Sequence, residues 1–357
     1  MGKNLPPRVF LRSGRYYHVS AEGKRRVWVS LSRVREGLPA LYAALAQIER
    51  ERIADDRMSA LIADWQLDVM PRHAAKTQRD DIARCRIIGQ SFAEFRAGQV
   101  RAPDVAEFLA AWRDKPRTHN AYRAQLRELM RYAIERGYRV DQPCDHIRTM
   151  RTPPRHRYVT DSELRRVKVA ALRGSDGKPT RSGRMLCALL DVLYLTGQRP
   201  SDVLDLRWVR DPDDPDAPHI SDAGLVFRPS KTRRSSCAAV VIEWTPRLRD
   251  AIRRAQVLQA ERLMMRRADQ RVVSGWVFTT ISGSPMQYFG ASSAWQRAVR
   301  RAGVVGIELR DLRAKALTDK EGADGMPAAR AMGAHSTESQ TADYVRRRAP
   351  TKTKATR

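Results

Sequence analysis

The chain has 357 residues, with 67 Lys and Arg against 40 Asp and Glu, giving a formal net charge of +27 and a sequence pI near 10.8. That length implies two or three domains, each able to bury its own core, and the arginine-rich excess favours nucleic acid over a small acidic substrate as partner. Cys85, Cys144, Cys187 and Cys237 lie scattered without CxxC spacing, so neither a disulfide framework nor a zinc site is indicated, and neither a signal-peptide pattern nor a bilayer-length apolar run is present. The expectation is a protein of the reducing cytoplasm with no membrane partner.

The first segment, PRVFLRSGRYYHVSAEGKRRVWVSLS, alternates apolar and polar residues between SG and EG turns, which predicts a small three-stranded antiparallel sheet. Residues 1–35 carry nine cations and a single acid, Glu22. Such a sheet is too small to be very stable alone, and one basic face suits entry into a DNA groove. The candidate contacts are Arg12, Arg15, Tyr17, Lys24, Arg25 and Arg26. The ordinary alternative is a solvated face.

From about residue 38 the apolar period changes to 3.6 and stays helical to about residue 150. The predicted helices are 38–54, 57–69, 76–96, 103–113 and 117–136, with Pro71, Pro103 and Pro116 marking breaks. Two helix entries are basic, one with Lys76, Thr77 and Arg79, the other with Arg117, Asn120 and Arg123. Helix N-terminal amides beside such side chains suit phosphate contacts, although a basic helix face is also what a solvated surface looks like. Residues 141–157, DQPCDHIRTMRTPPRHR, lose periodicity among prolines and cations and read as an extended linker.

The third segment, 158–349, opens with a capping box at Thr160 and Glu163 and is mainly helical. One strand pair interrupts it, in GLVFRPSKTRRSSCAAVVIEW, whose turn carries Lys231. Four places hold polar groups that an apolar core accommodates awkwardly. Arg199 follows a strongly apolar run; Lys231 sits in the turn; Arg310 and Arg313 lie in IELRDLRAKALT; His335 and Tyr344 lie in MGAHSTESQTADYVR. Singly, each has an ordinary structural explanation, such as an ion pair of Arg199 with Asp202 or a capping role for His335.

In combination, the order and spacing of these residues resemble the tyrosine recombinase and phage integrase family. Its catalytic domain carries an arginine in a T-G-x-R-x-x-E/D-x-x-x-L pattern, a hairpin lysine, an H-x-L-R box, a G-H box and a late tyrosine. Here these are TGQRPSDVLDL with Arg199, the hairpin Lys231, RDLR from Arg310 to Arg313, His335, and Tyr344 nine residues later. The resemblance implies a site-specific recombinase, an integrase of a phage or mobile element, that cleaves and rejoins DNA through a 3′-phosphotyrosine. In it Arg199 and Arg313 clamp the phosphate, Tyr344 is the nucleophile, Lys231 the general acid, and His335 a phosphate or tyrosine partner, with no metal or other cofactor. It further implies double-stranded DNA attachment sites as partner, a homotetramer on paired sites, and a host DNA-bending protein and an excision factor as accessory partners.

The implied fold is mainly α with small β elements. Residues 1–55 form an N-terminal sheet module with a connecting helix, 56–140 a helical core-binding domain, 141–157 a linker, 158–349 the catalytic domain, and 350–357 a basic tail. That tail is either a nonspecific DNA attractor or, by the resemblance, a segment that packs on a neighbouring protomer. Two positions depart from the pattern. Arg310 stands where the box has histidine, and its pKa is too high for a base, so added charge beside the phosphate is its expected role. Ala334 stands where glycine usually precedes the last histidine, with Gly333 one place earlier. The competing readings are a related enzyme that relaxes supercoils without recombining, and an inactive DNA-binding descendant acting as a regulator or accessory protein.

Overall fold

The structure is a computed structural model that describes residues 5–22, 25–54, 56–153, 155–229, 239–267, 271 and 273–346. Lys24 and Lys231 lie outside the described residues, and the side chain of Arg25 does as well. The chain divides into two compact units, Met1–Pro154 and Arg155–Arg357. The fold class is mainly helical with small antiparallel sheets, as the sequence pattern implies.

In the first unit, β1 (Val9–Arg12), β2 (Arg15–Glu22) and β3 (Arg25–Arg33) form an antiparallel sheet in that order. Ser13 and Gly14 both take positive φ, 49° and 73°, between the paired Arg12 and Arg15. This is the two-residue turn whose twist matches a hairpin, and it is why the SG dipeptide reads as a turn. α1 (Gly37–Ala54) packs on β3, and Leu41 joins Val9 and Tyr16 in a small core. Away from that core, Phe10 and Tyr17 contact Trp28 with ring centroids 5.8 and 6.1 Å apart, and Phe10 and Trp28 are exposed.

The helical part of this unit comprises α2 (Met58–Asp68), α3 (Ala75–Ser91), α4 (Ala102–Ala110) and α5 (Pro116–Glu135) around Trp65, Ile88, Leu126 and Leu129. Pro103 and Pro116 occupy first-turn positions, where the missing N–H costs no helical hydrogen bond. The 76–96 prediction overruns, because α3 stops at Ser91. Phe92 and Phe95 continue the apolar spacing but meet edge to face, centroids 5.3 Å apart, in a turn. Its backbone pairs with the entry of α2 through Met58 N–H to Phe95 O and Ala97 N–H to Asp56 O.

Much of the stretch read as a linker is folded onto this unit. Pro143–His146 forms a short 3-10 turn with Cys144 fully buried. Asn120 holds Met150 by two backbone hydrogen bonds of 2.8 Å, and the Arg123 guanidinium donates to the carbonyls of Ile147 (2.6 Å) and Cys144 (2.9 Å).

In the second unit α6 (Asp161–Leu172) begins with the expected capping box, Glu163 N–H to Thr160 Oγ1 at 2.9 Å and Thr160 N–H to Glu163 Oε2 at 2.8 Å. α7 (Gly183–Thr196) is buried along almost its whole length and packs on α9 (Pro246–Met264) and α11 (Asp311–Gly333). Between α7 and α9 in the chain come α8 (Pro200–Leu204) and a sheet of β4 (His219–Ile220), β5 (Gly224–Phe227) and β6 (Val240–Glu243). The sheet has three strands where the sequence pattern suggested two, since the two-residue β4 is too short to show alternation. α10 (Tyr288–Arg301) and α12 (Glu338–Ala342) complete the unit.

Because Arg123 donates two charge-assisted hydrogen bonds to backbone carbonyls, Arg123→Ala should lower stability by about 2 kcal/mol. Arg79→Ala, on the exposed start of α3, should leave it within about 0.5 kcal/mol of wild type. Urea unfolding followed by tryptophan fluorescence reads both.

Candidate active site

Arg199 is placed by the way α7 ends. Gly197 caps the helix in the left-handed region, φ 63°, and the fully buried Gln198 donates from Nε2 to the Met332 carbonyl at 2.6 Å. Arg199 then turns extended as N-cap of α8, with Pro200 in the first turn. The buried Asp202 carboxylate lies 3.9 Å from its Nη1, and that Nη1 is itself buried without a hydrogen-bond acceptor among the described residues.

Arg313 enters from the first turn of α11 and is 2% exposed. Nη1 donates to the Gly197 carbonyl at 2.8 Å, Nη2 to the Gly333 carbonyl at 2.8 Å, and Nη2 also to His335 Nε2 at 2.7 Å. Its Nε is buried with no acceptor among the described residues. Burial first, and the neighbouring Arg199 charge second, pull the Arg313 pKa down to about 10, which still leaves it charged at neutral pH. A buried guanidinium within electrostatic reach of a second, half-buried one calls for an anion between them.

His335 and Tyr344 complete the cluster. Their rings stack with centroids 5.2 Å apart and planes 23° apart, and the Arg313 guanidinium lies 5.1 Å from the Tyr344 ring centre. Burial, then Arg313, then Arg199 depress the His335 pKa to about 4, so its imidazole is neutral at physiological pH. Since a guanidinium only donates, Nε2 must be the accepting nitrogen and Nδ1 carries the proton. Nδ1 lies 3.0 Å from the hydroxyl of Thr341, which is fully buried.

The turn before His335 explains the Ala334 departure. Ala334 sits at φ 48° and ψ 46°, the left-handed cap of α11 and a position that favours glycine. Gly333 meets a different demand, for an added Cβ there would lie 2.9 Å from the His335 ring.

A second polar cluster fixes α11. The fully buried Lys315 donates to Asp319 at 2.7 Å and to the Tyr158 hydroxyl at 3.0 Å, lies 2.6 Å from Asp161, and sits 4.9 Å from each of the Tyr158 and Tyr194 rings. Burial alone would lower its pKa, but hydrogen bonds to Asp161, Asp319 and Tyr158 outweigh it and hold the ammonium above the ordinary lysine value. Thr341, Gln198 and Lys315 carry no sequence signal, because a threonine, a glutamine and a lysine at such positions look like surface residues.

The structure therefore brings together Arg199, Arg313, His335 and Tyr344. Arg310 stands apart from those contacts. It is the exposed N-cap of α11 and pairs with Glu308 at 2.7 Å. In the first unit, Arg15 reaches Ser30 at 3.1 Å on the sheet face that carries Tyr17 and Trp28, and Arg12 and Arg26 are exposed. Lys76, Thr77, Arg79 and Arg117 are exposed at the starts of α3 and α5. Asn120 and Arg123 direct their polar groups to backbone of their own unit, so a phosphate would have to compete with those carbonyls.

Comparison with known proteins agrees with this cluster. The model of the Phage integrase family matches residues 170–350, slightly more than half of the chain, and the chain belongs to that family, the tyrosine recombinases. Among solved structures it is similar to a lambda integrase dimer bound to a COC′ core site, at 18% identity, TM-score 0.67 and 100% coverage of both chains. It is similar also to a lambda integrase tetramer bound to a Holliday junction, at 17% identity, TM-score 0.68 and 99% coverage of both. The Tn1549 transposon integrase in complex with circular intermediate DNA matches at 15% identity and TM-score 0.60, over 82% of this chain and 96% of that one. At these identities the likeness is one of fold. No curated protein matches the chain.

Relief of the left-handed strain by Ala334→Gly, less the added entropy of the unfolded chain, should stabilise the protein by up to about 1 kcal/mol. A raised melting temperature checks this. The depressed His335 pKa has a definite sign: between about 6.5 and about 4 the unfolded chain binds the proton and the folded chain does not. The His335 contribution is thus complete above pH 6.5 and lost as pH falls toward 4, so His335→Gln should reduce the stability difference measured between pH 7 and pH 4.5.

Proposed function

We propose that the chain is a site-specific DNA recombinase, an integrase of a phage or mobile element, acting through a 3′-phosphotyrosine intermediate. The observation that carries this reading is the pair of the half-buried Arg199 and the buried Arg313, each with a buried guanidinium nitrogen lacking an acceptor among the described residues, with Arg313 against the Tyr344 ring. A phosphodiester supplies the missing acceptors. Its nonbridging oxygens fit two guanidinium forks, and charge that grows on them during displacement is stabilised where water is largely excluded.

In this reading the Tyr344 oxygen attacks phosphorus, the P–O5′ bond breaks, and the phosphate remains joined to the tyrosine. The phenolic proton leaves as the new bond forms, and Lys231 supplies a proton to the departing 5′-oxygen. Rejoining is the same step reversed with a different 5′-hydroxyl, so no external energy source is required. Arg310, exposed and paired with Glu308, adds positive potential for the flanking phosphates. The sheet face with Arg12, Arg15, Tyr17 and Arg26 reads a second, arm-type DNA sequence, together with Lys24 and Arg25. Lys76, Thr77, Arg79 and Arg117 meet backbone phosphates at the core site, with Asn120 and Arg123 beside them. Two sites brought together by a tetramer complete the exchange, with a DNA-bending protein and an excision factor as assisting partners.

The test uses wild type and Tyr344→Phe expressed in cells carrying the native genomic neighbourhood of the gene, with recovery and sequencing of covalently attached DNA under denaturing conditions. The expected result is adducts at one sequence with wild type and none with Tyr344→Phe, at nearly equal noncovalent DNA affinity. Noncovalent binding without adducts from either chain would favour an inactive descendant that regulates or assists recombination. Affinity should also fall steeply with salt, by a log–log slope of about 0.9 per phosphate neutralised.

A further inference from the structure

The displacement leaves one proton without a destination. Among the described residues of the cluster, the arginines hold no acceptor, and the Asp202 carboxylate lies toward Arg199, 3.9 Å from its Nη1. The remaining acceptor is His335 Nε2, on a ring stacked against Tyr344. Arg310, standing exposed with Glu308, offers none.

In the DNA-free protein Arg313 and Thr341 both fix the His335 tautomer, and once Arg313 turns to a phosphate Thr341 alone holds it. The fully buried Thr341 hydroxyl lies 3.0 Å from Nδ1, and that hydroxyl has its own weak outlet in the Thr337 carbonyl at 3.5 Å. The hydroxyl therefore accepts from Nδ1–H and donates onward, while Nε2 keeps its lone pair toward Arg313. A hydroxyl can also donate to a bare Nδ1, but then Nε2 would carry hydrogen and face the Arg313 N–H at 2.7 Å, donor against donor.

We propose that Thr341 is a positioning residue that holds His335 as its Nδ1–H tautomer, and that His335 Nε2 takes the phenolic proton of Tyr344 as the tyrosine oxygen bonds to phosphorus. This rests on the recombinase reading above. When a phosphate engages the arginines, Arg313 Nη2 turns to a nonbridging oxygen and releases Nε2. The same phosphate offsets the charges of Arg313 and Arg199, two of the three causes that keep the imidazole weakly basic in the DNA-free protein. His335 thus becomes an effective base only with substrate in place. The Tyr344 O–H bond breaks, Nε2 gains the proton, the O–P bond forms, P–O5′ breaks, and Lys231 protonates the 5′-oxygen; rejoining returns both protons.

The experiment compares wild type, Thr341→Val and Thr341→Ser, all full-length. The His335 tautomer is read from its ring ¹⁵N shifts on DNA-bound protein, each chain carrying Tyr344→Phe for this reading, where the phosphate has drawn Arg313 from Nε2 and Thr341 alone selects the tautomer; covalent adduct formation is timed, with Tyr344 intact, on the DNA sequence recovered from wild-type adducts. Wild type and Thr341→Ser should show Nδ1–H and similar rates. Thr341→Val should lose the Nδ1–H signature and slow at least about 10-fold, part of the roughly 100-fold or more that a positioned base contributes, with DNA affinity unchanged. Adducts from Thr341→Val at the wild-type rate, or an Nε2–H tautomer in wild type, would overturn the proposal while leaving the recombinase reading intact. Absence of adducts from wild type would instead overturn that reading and the base role with it.

Discussion

A buried guanidinium, Arg313, and a half-buried one, Arg199, stand within electrostatic reach where α7, α8 and α11 meet, and their mutual repulsion sets what the surrounding structure must do. Arg313 is tolerated because two backbone carbonyls, of Gly197 and Gly333, and the His335 ring accept from it. Those contacts neutralise dipoles, not charge, and a full anion remains the best partner for the pair. An arginine is better than a lysine for this task, since a fixed fork addresses two oxygens at once.

The scaffold keeps these groups in place with ordinary means applied at specific points. Gly197 ends α7 with a left-handed residue and lends its carbonyl to Arg313. Gln198 ties that end to Met332, near the close of α11. Lys315, on the same helix as Arg313, is held between two tyrosine rings and two carboxylates, which fixes the helix that presents Arg313. Gly333 and Ala334 make the turn that lays His335 against Tyr344, the first by leaving room and the second by bearing the backbone strain. A phosphate entering such a site finds its donors already oriented, so little reorganisation is left to the moment of reaction.

Much of this was legible in the sequence because periodicity and turn chemistry are local. The Ser13–Gly14 hairpin, the Thr160–Glu163 capping box and the apolar run of α7 each declare themselves within a few residues. Arg199 and Arg313 were legible for a different reason: a cation among apolar residues asks for an explanation wherever the chain goes. What escaped reading is long-range. The use of Arg123 and Asn120 to anchor residues 144–150 depends on a return of the chain that no short window records. Phe92 and Phe95 kept a helical spacing after the helix had ended, since apolar period reports burial and not backbone conformation. Thr341 matters through a single hydroxyl beside a ring six positions earlier, and a threonine near the end of a short helix carries no mark of that.

The sheet of the first unit bears on the same electrostatic theme at lower cost. Its aromatic face, with Phe10, Tyr17 and Trp28 flanked by arginines, leaves its charges in water, so it attracts a polyanion without the strain of the buried pair. The central claim, that Arg199 and Arg313 exist to neutralise a phosphodiester, is tested most directly by removing the charge from the substrate. Cleavage by Arg199→Ala is measured on duplexes carrying either the normal phosphate or a neutral methylphosphonate at the scissile position. If the pair neutralises the phosphate, the variant should cleave the methylphosphonate markedly faster than the phosphate, reversing the preference of wild type. Equal loss of activity on both substrates would contradict it.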